Sequence, residues 1–89
     1  MITIDHAQIN EENEEILYYI ADDKDLNASD IETAKILNID YELYIEILKK
    51  YGAMKCVNDY YFYNHQDAIN CLNDENLQSY LMMYELIKK

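Results

Sequence analysis

The chain has 89 residues, no proline, a single glycine and a formal net charge of −11. This length suits one domain, 1–89, near the lower end of what folds without a disulfide or a metal. Half of the residues are apolar, which excludes a disordered chain, and no apolar run approaches the roughly 20 residues that span a bilayer.

The negative charge is confined to the first half of the chain, and the chain has no arginine. Residues 1–48 contain thirteen carboxylates and two lysines, a balance of −11, whereas residues 49–89 contain five of each and balance to zero. Such a field repels nucleic acid and anionic membranes and attracts a basic partner. The alternative is that the acidity only keeps a tyrosine-rich surface soluble.

The first elements predicted are a short strand at 2–4 and then an acidic helix. Asn10 precedes EENEEILYYIADD, in which Ile16, Leu17 and Ile20 form one helical stripe. Four glutamates stand near the predicted helix start, where carboxylates complement the helix dipole. We therefore expect an N-terminal acidic helix.

Two short helices are predicted next, near 29–37 and 40–51. The S-x-x-E pattern that begins at Ser29 is a capping box, and Asp40 suits the cap of the second helix. Gly52, the only glycine, stands where a helix ends on a left-handed residue.

A β-hairpin and two further helices complete the predicted order. AMKCV and YYFY flank Asn58 and Asp59, two residues that tolerate positive φ, so a hairpin is expected near 53–63. Asn64 caps a following helix, and an amphipathic helix at 75–88 ends the chain. The order reads β-α-α-α-β-β-α-α, a mainly α domain with a small β-hairpin.

Four segments resemble parts of a known family. They are SDIETAKILNID (29–40), YELYIEILKKYGA (41–53), MKCVNDYYFY (54–63) and HQDAINCL (65–72). Over about residues 27–72 the chain thereby resembles the winged helix-turn-helix domains of phage excisionases and MerR-type regulators. The resemblance implies a winged helix-like core, flanked by the N-terminal acidic helix and the C-terminal amphipathic helix.

In that family the second helix enters the major groove and basic wing residues hold the DNA backbone. Carried over by position, the groove-facing residues of the second helix would be Asp40, Tyr41, Glu42, Tyr44 and Ile45, and the wing residue would be Lys55. Phosphate contacts require lysine or arginine, and guanine is most often read by arginine. Because carboxylates begin this helix and Glu46 follows one turn later, the sequence argues against direct DNA binding. A winged-helix DNA-binding accessory or transcription factor stays the alternative.

Residues that could support catalysis or metal binding are few. His6, His65, Cys56 and Cys71 lack the paired spacing of a zinc site, and neither an oriented base nor an oxyanion site is indicated. We expect no enzyme activity, metal or cofactor. The first residues lack the pattern of a secretory signal, so we expect reduced thiols in a cytoplasmic protein of the host cell.

The ten tyrosines exceed what a small core absorbs. A tyrosine ring buries area while its hydroxyl stays hydrogen-bonded, which suits protein binding, although half of the tyrosines could instead cover the edge of the core. Combined with the acidic positions, the predicted partner-binding residues are Glu11, Glu12, Glu14, Glu15, Asp40, Tyr41, Glu42, Tyr44, Glu46, Tyr61 and Tyr63.

The last helix suggests a homodimer through 77–87. LQSYLMMYELI is apolar around much of its circumference, as in helices that are buried on more than one side. A second copy could supply the cover, and packing across its own domain is the competing interpretation.

In size, acidity and lack of catalytic apparatus the chain resembles anti-CRISPR proteins and other DNA mimics. The function predicted is therefore that of a small acidic inhibitor of phage or mobile-element type. It would block the basic, nucleic-acid-binding surface of a host protein, for example a CRISPR effector. A scaffold protein without a nucleic-acid connection is a third interpretation.

Overall fold

The computed structural model describes residues 1–10 and 15–88, and within them four strands alternate in pairs with four helices. Their bounds are β1 (Ile2–Asn10), β2 (Glu15–Asp22), α1 (Asp30–Leu37), α2 (Tyr41–Lys50), β3 (Met54–Cys56), β4 (Asp59–Tyr61), α3 (His65–Leu72) and α4 (Glu75–Lys88). The strands form two separate antiparallel hairpins, β1–β2 and β3–β4. The domain is therefore α+β, and the prediction of a mainly α fold is wrong.

The error lies in the segment predicted as the N-terminal acidic helix. Residues 15–22 form β2, which pairs with β1 from Ile2 opposite Asp22 to Gln8 opposite Ile16. Tyr18 also exchanges two backbone hydrogen bonds with Phe62, at 2.8 and 2.7 Å. These long-range pairings override the helical spacing of the apolar residues, because strand preference depends on the neighbours that a strand finds.

The predicted strand at 2–4 is present and extends to Asn10, so this asparagine ends a strand and is not a helix cap. The predicted partner-binding residues Glu11, Glu12 and Glu14 lie outside the described residues.

The two central helices are confirmed, together with the local signals that predicted them. The Ser29 side chain accepts a hydrogen bond from the Glu32 amide at 3.3 Å, and that of Asp40 accepts one from the Leu43 amide at 3.3 Å. Asn38 ends α1 in the left-handed region with φ 58°, and Gly52 follows α2 with φ 97°. Glycine suits this last position because it adopts positive φ without strain.

The second hairpin is confirmed, but its turn lies one residue earlier than predicted. Cys56 pairs with Asp59, so Val57 and Asn58 form the turn and Val57 takes φ 61°. Asp59 belongs to the strand, where its carboxylate accepts a hydrogen bond from the Asp30 amide at 3.0 Å. This contact joins the hairpin to the start of α1.

The hydrophobic core joins the helices to both hairpins. Phe62, which follows β4, packs with Tyr44 and Leu48 of α2, and all three are almost completely buried. Leu77 of α4 joins this core, and the Tyr84 hydroxyl donates a hydrogen bond to the Asp22 carboxylate of β2. One face of α4 is thus covered by its own domain. No helix within the described ranges has the length and apolar character needed to cross a membrane.

Candidate protein-binding surface

The acidic face of α2, by which we mean Asp40, Glu42 and Glu46, is exposed to solvent. None of the ion pairs among residues 1–10 and 15–88 involves these three carboxylates. Their charge is therefore not neutralised by a salt bridge within the part of the chain that the structure describes. Asp40 has a structural role as well, since it caps α2.

An open cleft of about 380 Å³ runs between α2 and the β3–β4 hairpin. It is lined by Tyr41, Glu42, Ile45, Glu46, Lys49, Lys55 and Tyr60. Along α2 the lining changes from carboxylates to the ammonium group of Lys49, which lies 5.5 Å from the centre of the Tyr60 ring. The cleft therefore offers negative charge beside the first half of α2 and positive charge beside its end.

The tyrosines of the predicted surface fall into three environments. Tyr41 and Tyr63 are exposed, so both are accessible to a partner. Tyr61 is half-buried and packs edge-on against Tyr19, with ring centres 5.8 Å apart. Tyr44 is completely buried in the core, and this burial raises the pKa of its hydroxyl well above the ordinary value. Tyr44 is therefore unavailable to a partner.

The structure brings only part of the predicted surface together. Asp40, Tyr41, Glu42 and Glu46 lie along one helix, whereas Glu15 is exposed at the start of β2, opposite Asn10. Tyr60 lines the cleft beside Tyr41 but was not among the predicted partner-binding residues. The sequence does distinguish Tyr60 from Tyr61, because successive side chains of a strand point to opposite faces.

A second, smaller cavity of about 210 Å³ lies where α1 meets the second hairpin, and Tyr19, Asp30 and Asp59 are among its lining residues. The Asp30 amide donates to the Asp59 carboxylate at 3.0 Å, and the Tyr60 amide donates to that of Asp30 at 2.7 Å. Burial raises the pKa of Asp30 to about 6, although the hydrogen bond from Tyr60 opposes the rise. These two carboxylates hold α1 against the hairpin.

Asp74 is another structural carboxylate, and it lies directly before α4. Its buried carboxylate accepts hydrogen bonds from the Tyr51 hydroxyl at 2.7 Å and from the Asn76 and Leu77 amides at 2.9 and 3.1 Å. Burial by itself raises the pKa of Asp74. The hydrogen bonds and the charge of Lys50 outweigh this effect, so the pKa lies below its usual value.

Histidine, cysteine and carboxylate side chains are the groups of this chain that could ligate a metal. Among the described residues no three histidine, cysteine, aspartate or glutamate side chains converge as metal ligands. Cys56 and Cys71 are free thiols, and burial raises the pKa of Cys71 to about 12. A thiol with so high a pKa is a poor nucleophile at neutral pH.

Comparison with models of protein families, with curated proteins and with solved structures finds no match for this chain. The likeness to winged helix-turn-helix domains stays a prediction from the sequence motifs. A function has to be argued from the surface of the molecule itself.

Proposed function

We propose that this protein is a small acidic inhibitor of phage or mobile-element type, which occupies the basic, nucleic-acid-binding surface of a protein in the host cell. The observation that carries the proposal is the acidic face of α2, where exposed carboxylates have no ion-pair partner among the described residues. Carboxylates so placed can take the positions of phosphates on a basic partner.

The spacing of the two glutamates supports contact with one basic segment. Glu42 and Glu46 are one helical turn apart, which places them about 6 Å apart along the helix axis. Residues at this separation lie on the same face of a helix. A lysine or arginine row on the partner can therefore reach both carboxylates at once.

The cleft adds contact area next to the charges. Tyr41 and Tyr60 line it beside Glu42 and Glu46, and the planar guanidinium of arginine both stacks on aromatic rings and pairs with carboxylates. Lys49 and Lys55 line the same cleft and repel further cations. We therefore expect the basic segment to contact the first half of α2. Bound in this way, the protein would sterically exclude nucleic acid from a partner such as a CRISPR effector.

Electrostatic steering should dominate the approach of the partner. A net charge of −11 on so small a chain attracts a basic protein over a long range. Such association is fast at low salt and slows as salt is added. A steep salt dependence of the association rate is thus part of the proposal.

The second candidate function is a DNA-binding accessory or transcription factor. The observation that favours it is the group of exposed lysines at the end of α2 and on β3, namely Lys49, Lys50 and Lys55. An electrophoretic shift with labelled mixed-sequence duplex DNA at low salt separates the two functions. We expect no retention of the DNA by the wild-type protein, and clear retention would favour the DNA-binding factor.

The inhibitor function is tested by capture followed by competition. Wild-type protein, the Glu42→Lys/Glu46→Lys variant and a control variant, Asp67→Lys/Glu75→Lys, serve as bait in a lysate of a low-GC Gram-positive bacterium, the host type that the Lys, Asn, Ile and Tyr bias suggests. The two variants change the net charge equally, and Glu42 and Glu75 both stand in the first turn of a helix.

A captured basic protein is then purified and loaded with labelled nucleic acid. We expect the wild-type and control proteins to displace the label and the Glu42→Lys/Glu46→Lys variant to leave it bound. Equal displacement by both variants would show that the acidic face of α2 is not the binding surface.

A further inference from the structure

The cavity of about 210 Å³ between α1 and the second hairpin is a feature that the proposed function does not use. Its lining comes from Ala7 of β1, Tyr19 of β2, the segment that leads into α1 as far as Asp30, and residues 59–61 of β4. We call it the Asp30 cavity. It is smaller than the roughly 300–1,000 Å³ of sites for drug-sized ligands, so it suits a small group. The acidic face of α2 does not line it, so what it binds is independent of the proposed inhibitor function.

Two neighbouring carboxylates in the Asp30 cavity form no ion pair within the part of the chain that the structure describes. Asp30 is buried, with 6% of its surface exposed, and its amide donates to the Asp59 carboxylate at 3.0 Å. A negative charge at a buried position is costly unless a cation or hydrogen-bond donors compensate it. This pair of carboxylates therefore favours a cation in the cavity.

The hydrogen bonds of Asp30 leave one of its carboxylate oxygens without a donor. Oδ2 accepts from the Tyr60 amide at 2.7 Å, whereas Oδ1 accepts no hydrogen bond from the described residues. The Tyr44 hydroxyl is buried, and its pKa is raised by burial and by the charges of Asp30 and Asp59, yet it donates to neither of them. Burial raises the pKa of Asp30 to about 6, so the group is still mostly ionised at neutral pH. Oδ1 is thus an acceptor that an added donor can use.

Tyrosine side chains contribute the aromatic part of the lining. Tyr19 and Tyr61 pack edge-on against each other, with ring centres 5.8 Å apart. The Tyr19 hydroxyl is fixed by hydrogen bonds to the Asp5 carboxylate at 3.2 Å and to the Leu26 carbonyl oxygen at 3.1 Å. Aromatic rings attract cations and also bury alkyl groups. The aromatic part of the lining therefore favours the same charge as the carboxylates do.

We propose that the Asp30 cavity binds the primary ammonium group of an alkylamine, carried either by a free small amine or by a lysine side chain of another protein. The ammonium donates to Oδ1 of Asp30 and to the Asp59 carboxylate, and the alkyl chain lies against the tyrosine rings. A primary ammonium has three donors and no acceptor, which matches this set of acceptors. Hydrogen bonds between charged groups are also stronger than those between neutral ones.

Other cations fit the Asp30 cavity less well. Calcium takes six to eight oxygen ligands, whereas only two carboxylates line the cavity and no three metal-ligating side chains converge among the described residues. A quaternary ammonium has no N–H group, so it would leave Oδ1 of Asp30 without a hydrogen bond. The chemistry of the lining therefore favours a primary ammonium.

NMR titration of the ¹⁵N-labelled full chain with n-butylamine, which is protonated at neutral pH, tests the proposal. The ionic strength is held constant, because a chain with a charge of −11 attracts every cation. We expect saturable shifts at the amides of Asp30, Tyr60 and Tyr61. n-Butanol, which has the same alkyl chain and no charge, should cause none, and tetramethylammonium should bind at least about fivefold more weakly.

Two variants test the carboxylates one at a time. Asp30→Asn and Asp59→Asn each remove a charge and keep an oxygen that can accept from the same backbone amide. Each should raise the dissociation constant for butylammonium at least about tenfold. The matched control is Glu32→Gln, which removes one charge at an exposed position of α1 and should change the constant less than about twofold. Either asparagine variant suffices if the other does not fold.

A capped peptide with a single lysine, and the same peptide with that lysine acetylated, distinguish the two sources of the ammonium. Tighter binding of the lysine peptide than of butylamine identifies a protein side chain as the ligand, and the reverse order identifies a free amine. The proposal is overturned if neither butylamine nor the lysine peptide gives saturable shifts at the cavity. It is also overturned if n-butanol binds as well as butylamine, or if Glu32→Gln loses as much affinity as the aspartate variants.

Discussion

The acidic face of α2 and the exposed apolar side chains of α4 differ in the force by which each could bind another molecule. The face presents exposed carboxylates whose attraction acts over a long range and is weakened by salt. The helix α4 presents the exposed apolar side chains of Met82, Met83 and Leu86, whose burial would stabilise a contact in proportion to the apolar area removed from water. Charge and apolar area are thus presented on different elements of the domain.

The largest effect is expected on the charged surface. Glu42→Lys/Glu46→Lys replaces two attractive contacts by two repulsive ones, so binding to the basic partner should weaken more than about a hundredfold. Asp40 is left in place because its side chain caps α2. Titration calorimetry at two salt concentrations measures both the loss and the shallower salt dependence that should accompany it.

The Asp67→Lys/Glu75→Lys variant is the control and should weaken the same binding only a few-fold. If both variants lose the same affinity, net charge governs binding and the acidic face of α2 is not a specific binding surface.

A large loss of stability is expected when Asp74 is removed, because this carboxylate is structural and belongs to neither surface. Asp74→Ala removes the acceptor for the Asn76 and Leu77 amides and for the Tyr51 hydroxyl. Loss of a cap and of a buried hydrogen bond together should lower the free energy of unfolding by about 2 kcal/mol. Urea unfolding measures the change, and Glu75→Ala, at the next and exposed position, should cost much less.

Asp30 is a structural carboxylate whose pKa is raised, whereas the pKa of Asp74 is lowered. The pKa of Asp30 is raised to about 6 by burial, so the folded state holds this proton more tightly than the unfolded chain, whose pKa is about 3.9. Stability from this group is therefore present at low pH and is lost as pH rises from about 4 to about 6.

Asp30→Asn keeps an oxygen that can accept from the Tyr60 amide but removes the ionisation. The variant should gain stability relative to the wild type as pH rises through that window, in urea unfolding at several pH values. Glu32→Gln, at an exposed position of the same helix, is the control. If both variants changed the pH dependence of the free energy of unfolding equally, the ionisation of Asp30 would not be its cause.

The smallest effects are expected from two tyrosines of α2 that differ in burial. The Tyr44 hydroxyl is buried and has no hydrogen-bond partner among the described residues, so Tyr44→Phe should be neutral or should raise the free energy of unfolding by about 1 kcal/mol. Tyr41 is exposed beside Glu42 and lines the cleft. Tyr41→Ala should leave stability almost unchanged and weaken partner binding a few-fold. Thermal unfolding and calorimetry separate the two outcomes.

Local signals predicted the helices well and long-range contacts explain what they missed. The side chains of Ser29, Asp40 and Asn64 each cap a helix by accepting a hydrogen bond from the amide two or three residues later, and such caps can be recognised in the sequence. β2 was predicted as a helix because its spacing fits one, and only its pairing with β1 and Phe62 makes it a strand.

For the candidate surface, too, the sequence predicts some features, whereas others depend on long-range packing. The exposed positions of Asp40 and Glu42 follow from the amphipathic pattern of α2. The burial of Tyr44 depends on how the helix packs against Phe62 and the rest of the core, and the pairing of Asp30 with Asp59 joins residues far apart in the chain. Neither can be read from spacing alone.

The central claim is that the acidic face of α2 binds a basic partner, and an NMR titration tests it before the partner is identified. The ¹⁵N-labelled protein is titrated with a short arginine-rich peptide at low and at moderate salt. We expect the amide shifts to concentrate on the first half of α2 and on Tyr60, to shrink with salt, and to disappear in the Glu42→Lys/Glu46→Lys variant. Shifts of equal size around Asp67 and Glu75, or none on α2, would contradict the claim.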